Sequence, residues 1–141
     1  MIVYVDTSVA VALFVPEAAT TAITDWVAAT DAPLVSADWI MTELASALSI
    51  KERRGDLSAA DAQAVWNEFE AFCGTGLQLV APSRRVFERA ARLARDASSR
   101  LRAGDALHLA AALEIGASSI ATADGVLAAN AGKNGLATVR F

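Results

Sequence analysis

Cysteine occurs once in this chain, at Cys73. One thiol cannot close an internal disulfide, which excludes a disulfide-stapled scaffold and suits a reducing, cytoplasmic setting. Cys73 itself reads as a small buried hydrophobe on a helix. Histidine also occurs once, at His108, and that scarcity argues against a zinc centre. Long apolar runs are missing: no stretch approaches the ~20 residues that cross a bilayer. The apolar N-terminus has no basic segment before it, Asp6 interrupts it, and Pro16 ends it without a small-residue cleavage pattern, so it is not read as an export signal. Basic residues are in deficit, 12 against 16 acidic, for a net charge of -4. That balance argues against a generic nucleic-acid coat. Repeats, low-complexity tracts and linkers are absent as well.

What remains is a chain of 141 residues, 55% hydrophobic, enough for one domain (1–141) with a true core. Its positive charge is concentrated. Seven of the 12 basic residues fall between Arg84 and Arg102, opposed there only by Glu88 and Asp96.

The opening run Met1-Ile2-Val3-Tyr4-Val5 is β-branched and aromatic and predicts a buried strand. Val9 to Val15 reads as a short helix stopped near Pro16. Thr20 is expected to cap the next helix, with Ile23, Trp26 and Val27 on one face. Residues 33–36 form a second strand. A helical hairpin follows over about 38–73: Ile40, Leu44, Ala47 and Leu48 stripe its first helix, Arg53-Arg54-Gly55-Asp56 turns the chain, and Ser58 with Asp61 caps the second. Gly74-Thr75-Gly76 is expected to stop it. Leu77 to Val80 is a third strand. Pro82-Ser83 opens a helix with Val86, Phe87, Ala90, Leu93 and Ala94 inward and Arg85, Arg89 and Arg92 on another face. From Ala103 to Gly116 a helix is apolar nearly all round and therefore buried. Ser119 to Thr122 and Ala137 to Phe141 are the last strands, with a short helix from Val126 to Ala131 between them. Trp26, Trp39 and Trp66 are expected to fill the core. Strands alternating with helices imply a parallel sheet covered on both faces.

Four acids stand where the local pattern prefers something else. Asp6 follows the first strand. Glu43 lies at the edge of an apolar helical face. Asp105 heads the most apolar helix, and Asp124 follows the fourth strand. Acids beside core elements are costly unless paired or bound to a metal. Convergent carboxylates would repel one another, and a hard divalent cation, Mg²⁺ or Mn²⁺, relieves that at little cost. Such an ion lowers the pKa of water and offsets charge on a phosphodiester leaving oxygen. Local roles compete with this reading. Asp6 and Asp105 suit helix N-termini, Glu43 suits a half-exposed helix position, and Asp124 suits a turn before Gly125. His108 reads as a packed or hydrogen-bonded core histidine more readily than as a general base.

Asp6-Thr7-Ser8 after the first strand, Glu43 in an early helix, Asp105-Ala106-Leu107-His108-Leu109-Ala110 and Thr122-Ala123-Asp124 together resemble the PIN domain, specifically the VapC-type toxins of toxin–antitoxin pairs. The resemblance implies a three-layer α/β/α fold with a central parallel sheet of four to five strands. It implies a metal-dependent endoribonuclease using Mg²⁺, with Asp6 and Asp105 as ligands, Glu43 as a ligand or water-positioning group, and Asp124 completing the site. Ser8 and Thr122 would orient the carboxylates. Arg85, Arg89 and Arg92 become candidate phosphate contacts, and Arg100 and Arg102 candidates for RNA or an acidic partner. The implied partners are RNA, a second copy of the chain, and a VapB-type antitoxin that covers the acidic pocket, with DNA reached only through that antitoxin. Gly125 stands where relatives often carry a basic residue, which bears on a substrate contact and not on the acids.

Two other classes fit parts of the pattern. A haloacid-dehalogenase-type phosphatase would use Asp6 as a nucleophile, but that chemistry wants a second aspartate two residues on, where Ser8 stands. A non-catalytic binding module would keep the fold without the activity.

Overall fold

Five short strands alternate with seven helices in the computed structural model, which describes residues 1–141. The strands are β1 (Val3–Val5), β2 (Leu34–Ala37), β3 (Gln78–Val80), β4 (Ser119–Thr122) and β5 (Ala137–Arg140). The helices are α1 (Thr7–Phe14), α2 (Thr20–Ala29), α3 (Trp39–Arg54), α4 (Ala59–Thr75), α5 (Arg84–Arg95), α6 (Ala103–Glu114) and α7 (Gly125–Lys133). A single 3₁₀ turn, Ala97–Ser99, joins α5 to α6.

Every strand pairing is parallel, in the order β3-β2-β1-β4-β5. The chain builds outward from β1 to β3, crosses back, and builds the other way through β4 to β5. The strand order therefore reverses between β1 and β4, where an open α/β sheet leaves a crevice at its carboxyl ends. Val5 pairs with Ala121, and the Asp6 amide donates to the Ala121 carbonyl at 3.2 Å. The two segments thus leave the sheet side by side.

Strand alternation divides the core into two. Val3 and Val5 face α1 to α4, packing with Val9, Ile23, Leu44, Phe69 and their neighbours. Tyr4 and Ile120 face the other way, onto α5, α6 and α7, with Val86, Ala90, Leu109 and Leu127. The expected three layers are present. In α6 all seven residues from Ala106 to Ala112 are buried, as its unbroken apolar pattern requires. The α3–α4 hairpin turns at Gly55, whose φ of +79° suits a residue without a Cβ.

Ser58 caps α4 through the Asp61 amide (3.0 Å), and Ser83 caps α5 through the Val86 amide (3.4 Å). Thr20 is not the cap expected of it. Ala19 occupies that position, and the Thr20 hydroxyl reaches back to the Ala12 carbonyl at 2.6 Å, tying α2 to the end of α1. Gly74-Thr75-Gly76 ends α4 as expected, the helix running to Thr75 and capped at Gly76. Phe87 is 50% exposed rather than inward, because Val86 and Ala90 alone take the buried face of α5. Trp26, Trp39, Trp66 and Cys73 are only half-buried, packed against the rims of the cores. No helix is long and apolar enough to cross a membrane.

Candidate active site

The crevice is built from the ends of β1 and β4 and the starts of α1, α6 and α7, with α3 closing one side. Asp6 ends β1, is 2% exposed, and caps α1 through the Val9 amide at 3.2 Å. Its Oδ1 accepts from the Ser8 hydroxyl and its Oδ2 from the Thr122 hydroxyl, both at 2.6 Å. Burial pushes the Asp6 carboxyl above its ordinary range, and these two hydroxyls pull against that shift. The same hydroxyls join the two loops: Ser8 Oγ accepts from the Ala123 amide and Thr122 Oγ1 from the Asp124 amide, each at 2.9 Å. Asp124 caps α7 by accepting from the Val126 and Leu127 amides at 2.8 and 2.9 Å.

Glu43 comes from α3 and meets a buried chain of hydrogen bonds. Its Oε1 accepts from the Thr7 hydroxyl at 2.8 Å and pairs with His108 Nε2. His108, 1% exposed, meets the Tyr4 hydroxyl through Nδ1 at 2.8 Å. The Ala37 amide in turn donates to Tyr4 at 3.1 Å. Burial holds Tyr4 as a neutral phenol, far above its ordinary pKa. Glu43 can only accept, so Nε2–H donates to it, while Nδ1 and the Tyr4 hydroxyl share the second hydrogen bond. Burial pushes the Glu43 pKa up, but the His108 hydrogen bond and charge, with Thr7, bring it below the usual value. The Trp39 indole N–H lies beside this carboxylate, helps to lower its pKa, and is buried without an acceptor in hydrogen-bonding geometry. Gly104 makes room for both groups. A Cβ there would fall 2.3 Å from Glu43 Oε2 and 3.1 Å from Trp39 Nε1.

Asp105, in the first turn of α6, differs from the other three acids. No donor of the protein engages its carboxylate. Burial, and then the charges of Asp124, Glu43 and Asp6 in that order, push its pKa up to about 6, with His108 opposing. The four carboxylates predicted from sequence therefore share one electrostatic environment, supplied by four separate elements. As the side chains stand, no three acidic, histidine or cysteine groups are close enough to grip one ion. Each of the other three is held by the protein's own hydroxyls, amides or imidazole. Ser8 and Thr122 sit on Asp6 as expected. Tyr4, Thr7, Trp39 and Gly104 carry no site role in the sequence pattern, where Thr7 belongs to the first motif and Trp39 reads as a core residue. The one available signal was their position next to a strand end or a motif acid.

The arginines divide into three groups. Arg85, Arg89 and Arg92 line one groove together with Lys133, a residue that sequence reasoning did not single out. Arg100 lines an adjoining groove that contains Asp124. Arg102 precedes α6 without a side-chain capping bond and lines neither groove.

Comparison with known proteins follows the architecture. No curated protein sequence matches the chain. Among solved structures, the Mycobacterium tuberculosis toxin VapC20, described as cleaving the sarcin–ricin loop, superposes with a TM-score of 0.72 at 19% identity, over 91% of this chain and 94% of its own. The VapBC2 complex of Rickettsia felis, solved with a promoter DNA fragment, contains a chain similar at a TM-score of 0.69 and 13% identity, covering 100% and 99%. PAE2754 of Pyrobaculum aerophilum is similar at 0.69 and 20%, covering 97% and 83%. At these identities the likeness is one of fold. The PIN domain family model matches residues 3–133, from β1 to the end of α7, and on that extent of match the chain belongs to the PIN domain family.

Proposed function

We propose that this protein is a Mg²⁺-dependent endoribonuclease, the toxic half of a VapBC-type toxin–antitoxin module. The observation that carries the reading is Asp105: a half-buried carboxylate with no donor of its own, facing three further carboxylates. Such a group is unfavourable unless a cation completes its surroundings. The donor set is all oxygen, which suits Mg²⁺, with Mn²⁺ as a substitute. Asp6, Asp105, Glu43 and Asp124 would hold the ion. When bound, it supplies a water of lowered pKa and offsets charge on the phosphodiester oxygens.

The chain's own residues orient and hold the reacting groups. Ser8 and Thr122 fix both oxygens of Asp6, so its direction is set before anything binds. Tyr4 and His108, with Thr7, hold Glu43 by Oε1 and leave Oε2 turned toward Gly104. The buried Trp39 N–H beside that carboxylate favours its charged form. The phosphatase reading is disfavoured by Ser8, which stands where that chemistry wants a second aspartate and instead donates its hydroxyl to Asp6 Oδ1.

The partners follow from the same pocket. An antitoxin segment that brings an arginine or lysine among the carboxylates would compete directly with the metal. The α3–α4 hairpin is the natural clamp for it, and DNA is reached through that antitoxin. A homodimer is the expected assembly.

The test is cleavage of total cellular RNA by purified protein with Mg²⁺, which stops on addition of chelator. Asp6→Asn is expected to lower the rate by at least about 100-fold, the scale of losing a charge-stabilising group from an active site, with circular dichroism unchanged. Cleavage at the wild-type rate by folded Asp6→Asn protein, or cleavage indifferent to chelator, overturns the proposal.

A further inference from the structure

Arg85, Arg89 and Arg92 lie on one face of α5 at i, i+4, i+7, a span of about 10 Å at helical rise. Three like charges at this spacing repel one another and weaken their own helix. None of them makes an ion pair within the protein; the surface pairs are Lys51–Glu17 and Arg84–Glu88. Opposite them across the groove stands Lys133, from the last turn of α7. The groove also carries Glu88, Asp96 and Glu114, but two of these acids are already engaged. Glu88 pairs with Arg84 at 3.5 Å, and Asp96 accepts from the Ser98 hydroxyl and amide at 2.6 and 3.0 Å. Glu114 makes no ion pair, and Asp96 and Lys133 feel each other's charge, so the groove sets four cations against three acids, with no direct ion pair at Arg85, Arg89, Arg92 or Lys133.

This groove does not end blindly. It shares Ser99, Asn130 and Lys133 with the adjoining groove, which is lined by Arg100 and by Asp124 of the acidic crevice. Its walls are rigid where the two meet: the Asn130 side chain donates to the Ser99 and Val126 carbonyls at 2.9 and 2.8 Å, locking the 3₁₀ turn onto α7. The only hydrophobic lining residue of the first groove is Leu93, and no aromatic ring lies along either. Base stacking therefore has no platform here. What the surface offers is a row of cations, Arg100, Lys133, Arg92, Arg89 and Arg85, in modest excess over the acids between them, that begins beside Asp124.

We propose that a single RNA strand leaving the acidic crevice runs along this groove, its phosphates tracked by Arg100, Lys133, Arg92, Arg89 and Arg85. Contact is with the backbone, so the track adds affinity and direction and little sequence preference. The proposal deepens the ribonuclease reading and rests on it, yet binding can be measured without cleavage.

The experiment uses the full chain in chelator, so that nothing is cut, and an unstructured fluorescent 12-nucleotide RNA, followed by anisotropy over a range of salt. Arg85→Gln/Arg89→Gln/Arg92→Gln is expected to weaken binding at least tenfold at low salt. It should also make the salt slope shallower by about 2, at roughly 0.7 for each single-strand phosphate that is no longer neutralised. Lys133→Gln should act in the same direction, by the share of one phosphate. Arg53→Gln/Arg54→Gln, at the hairpin turn, should change neither quantity. Because self-repulsion is relieved, the triple variant should melt no lower than wild type, which separates weakened RNA binding from a damaged fold. An unchanged slope in the triple variant overturns the track, as does a loss of binding that sedimentation traces to a changed oligomeric state. Cleavage of total RNA is scored on the same preparations with Mg²⁺. A wild-type protein that cuts RNA while the triple variant binds normally removes the track and leaves the nuclease. A slope that depends on the arginines in a protein that never cuts removes the nuclease and leaves the track.

Discussion

Asp105 is the least accommodated carboxylate of the site, half-buried among three others. Its pKa of about 6 in the folded protein lies above the ~3.9 of an unperturbed aspartate. The folded state therefore binds this proton more tightly than the unfolded one. The stability associated with the protonated form is fully present below pH ~4 and is lost as pH rises through about 6. Asp105→Asn should therefore raise the melting temperature at pH 7–8 and give no gain at pH 4. The expected gain is roughly 1 kcal/mol, well below what the full shift would imply, because the group is partly exposed and screened. A thermal melt at each pH checks this, and equal gains at pH 4 and pH 8 would refute it. Gly104 supplies a second residue-scale case. Alanine favours a helix over glycine by up to ~1 kcal/mol, yet its Cβ would fall 2.3 Å from Glu43 Oε2. Gly104→Ala should melt no higher than wild type, because displacing Glu43 strips His108 of its partner, and should cleave RNA at least tenfold more slowly. An unchanged rate would show that the position of Glu43 does not matter.

At the scale of elements, each acid arrives on a different kind of support. Asp6 and Asp124 cap helices that start where strands end, so their backbones are fixed by the sheet. Glu43 is carried by α3, whose position depends on packing: α3 meets α1 and α4 through Ile40, Leu44, Leu48 and Phe69. Helix α4 supplies none of the four site carboxylates. Phe69→Ala should therefore cost about 3–5 kcal/mol by leaving a cavity, read from chemical unfolding, while the fraction that stays folded keeps its cleavage rate. These elements also show what periodicity can and cannot reveal. Apolar spacing identified the helices and most strands, because burial of one face leaves a regular imprint. It misplaced Phe87, since a 3.6-residue period gives the direction of the apolar stripe but not how wide a stripe the neighbouring helix covers. It also gave Thr20 a capping role that the hydroxyl forgoes for the nearer carbonyl of Ala12.

At the scale of the molecule, strand order matters most. The reversal at β1 sets Asp6 beside Thr122 and Asp124, and the packing of α3 against α6 brings Glu43 to His108 and Asp105. On the proposed function, ion binding acts on the whole fold, since a cation that binds only the native state stabilises it by about 2.7 kcal/mol at 100 times its dissociation constant. Mn²⁺ titrated calorimetrically at pH 7.5 should bind wild type, raise its melting temperature, and do neither for Asp6→Asn. Binding that survives Asp6→Asn unchanged would move the ion to another site.

The amino-acid order by itself determined which residues carry charge into element ends: Asp6, Asp105 and Asp124 stand at strand or helix boundaries, and a boundary is a local property of a few neighbouring residues. It also determined that α6 would be buried, because an apolar surface on all sides has no other place to go. The tertiary structure alone decided what those charges meet. Tyr4 lies 104 residues from His108, His108 lies 65 from Glu43, and Thr122 lies 116 from Asp6. Contacts at such separations depend on how the strands are ordered and how the helices cross, and no local pattern records either.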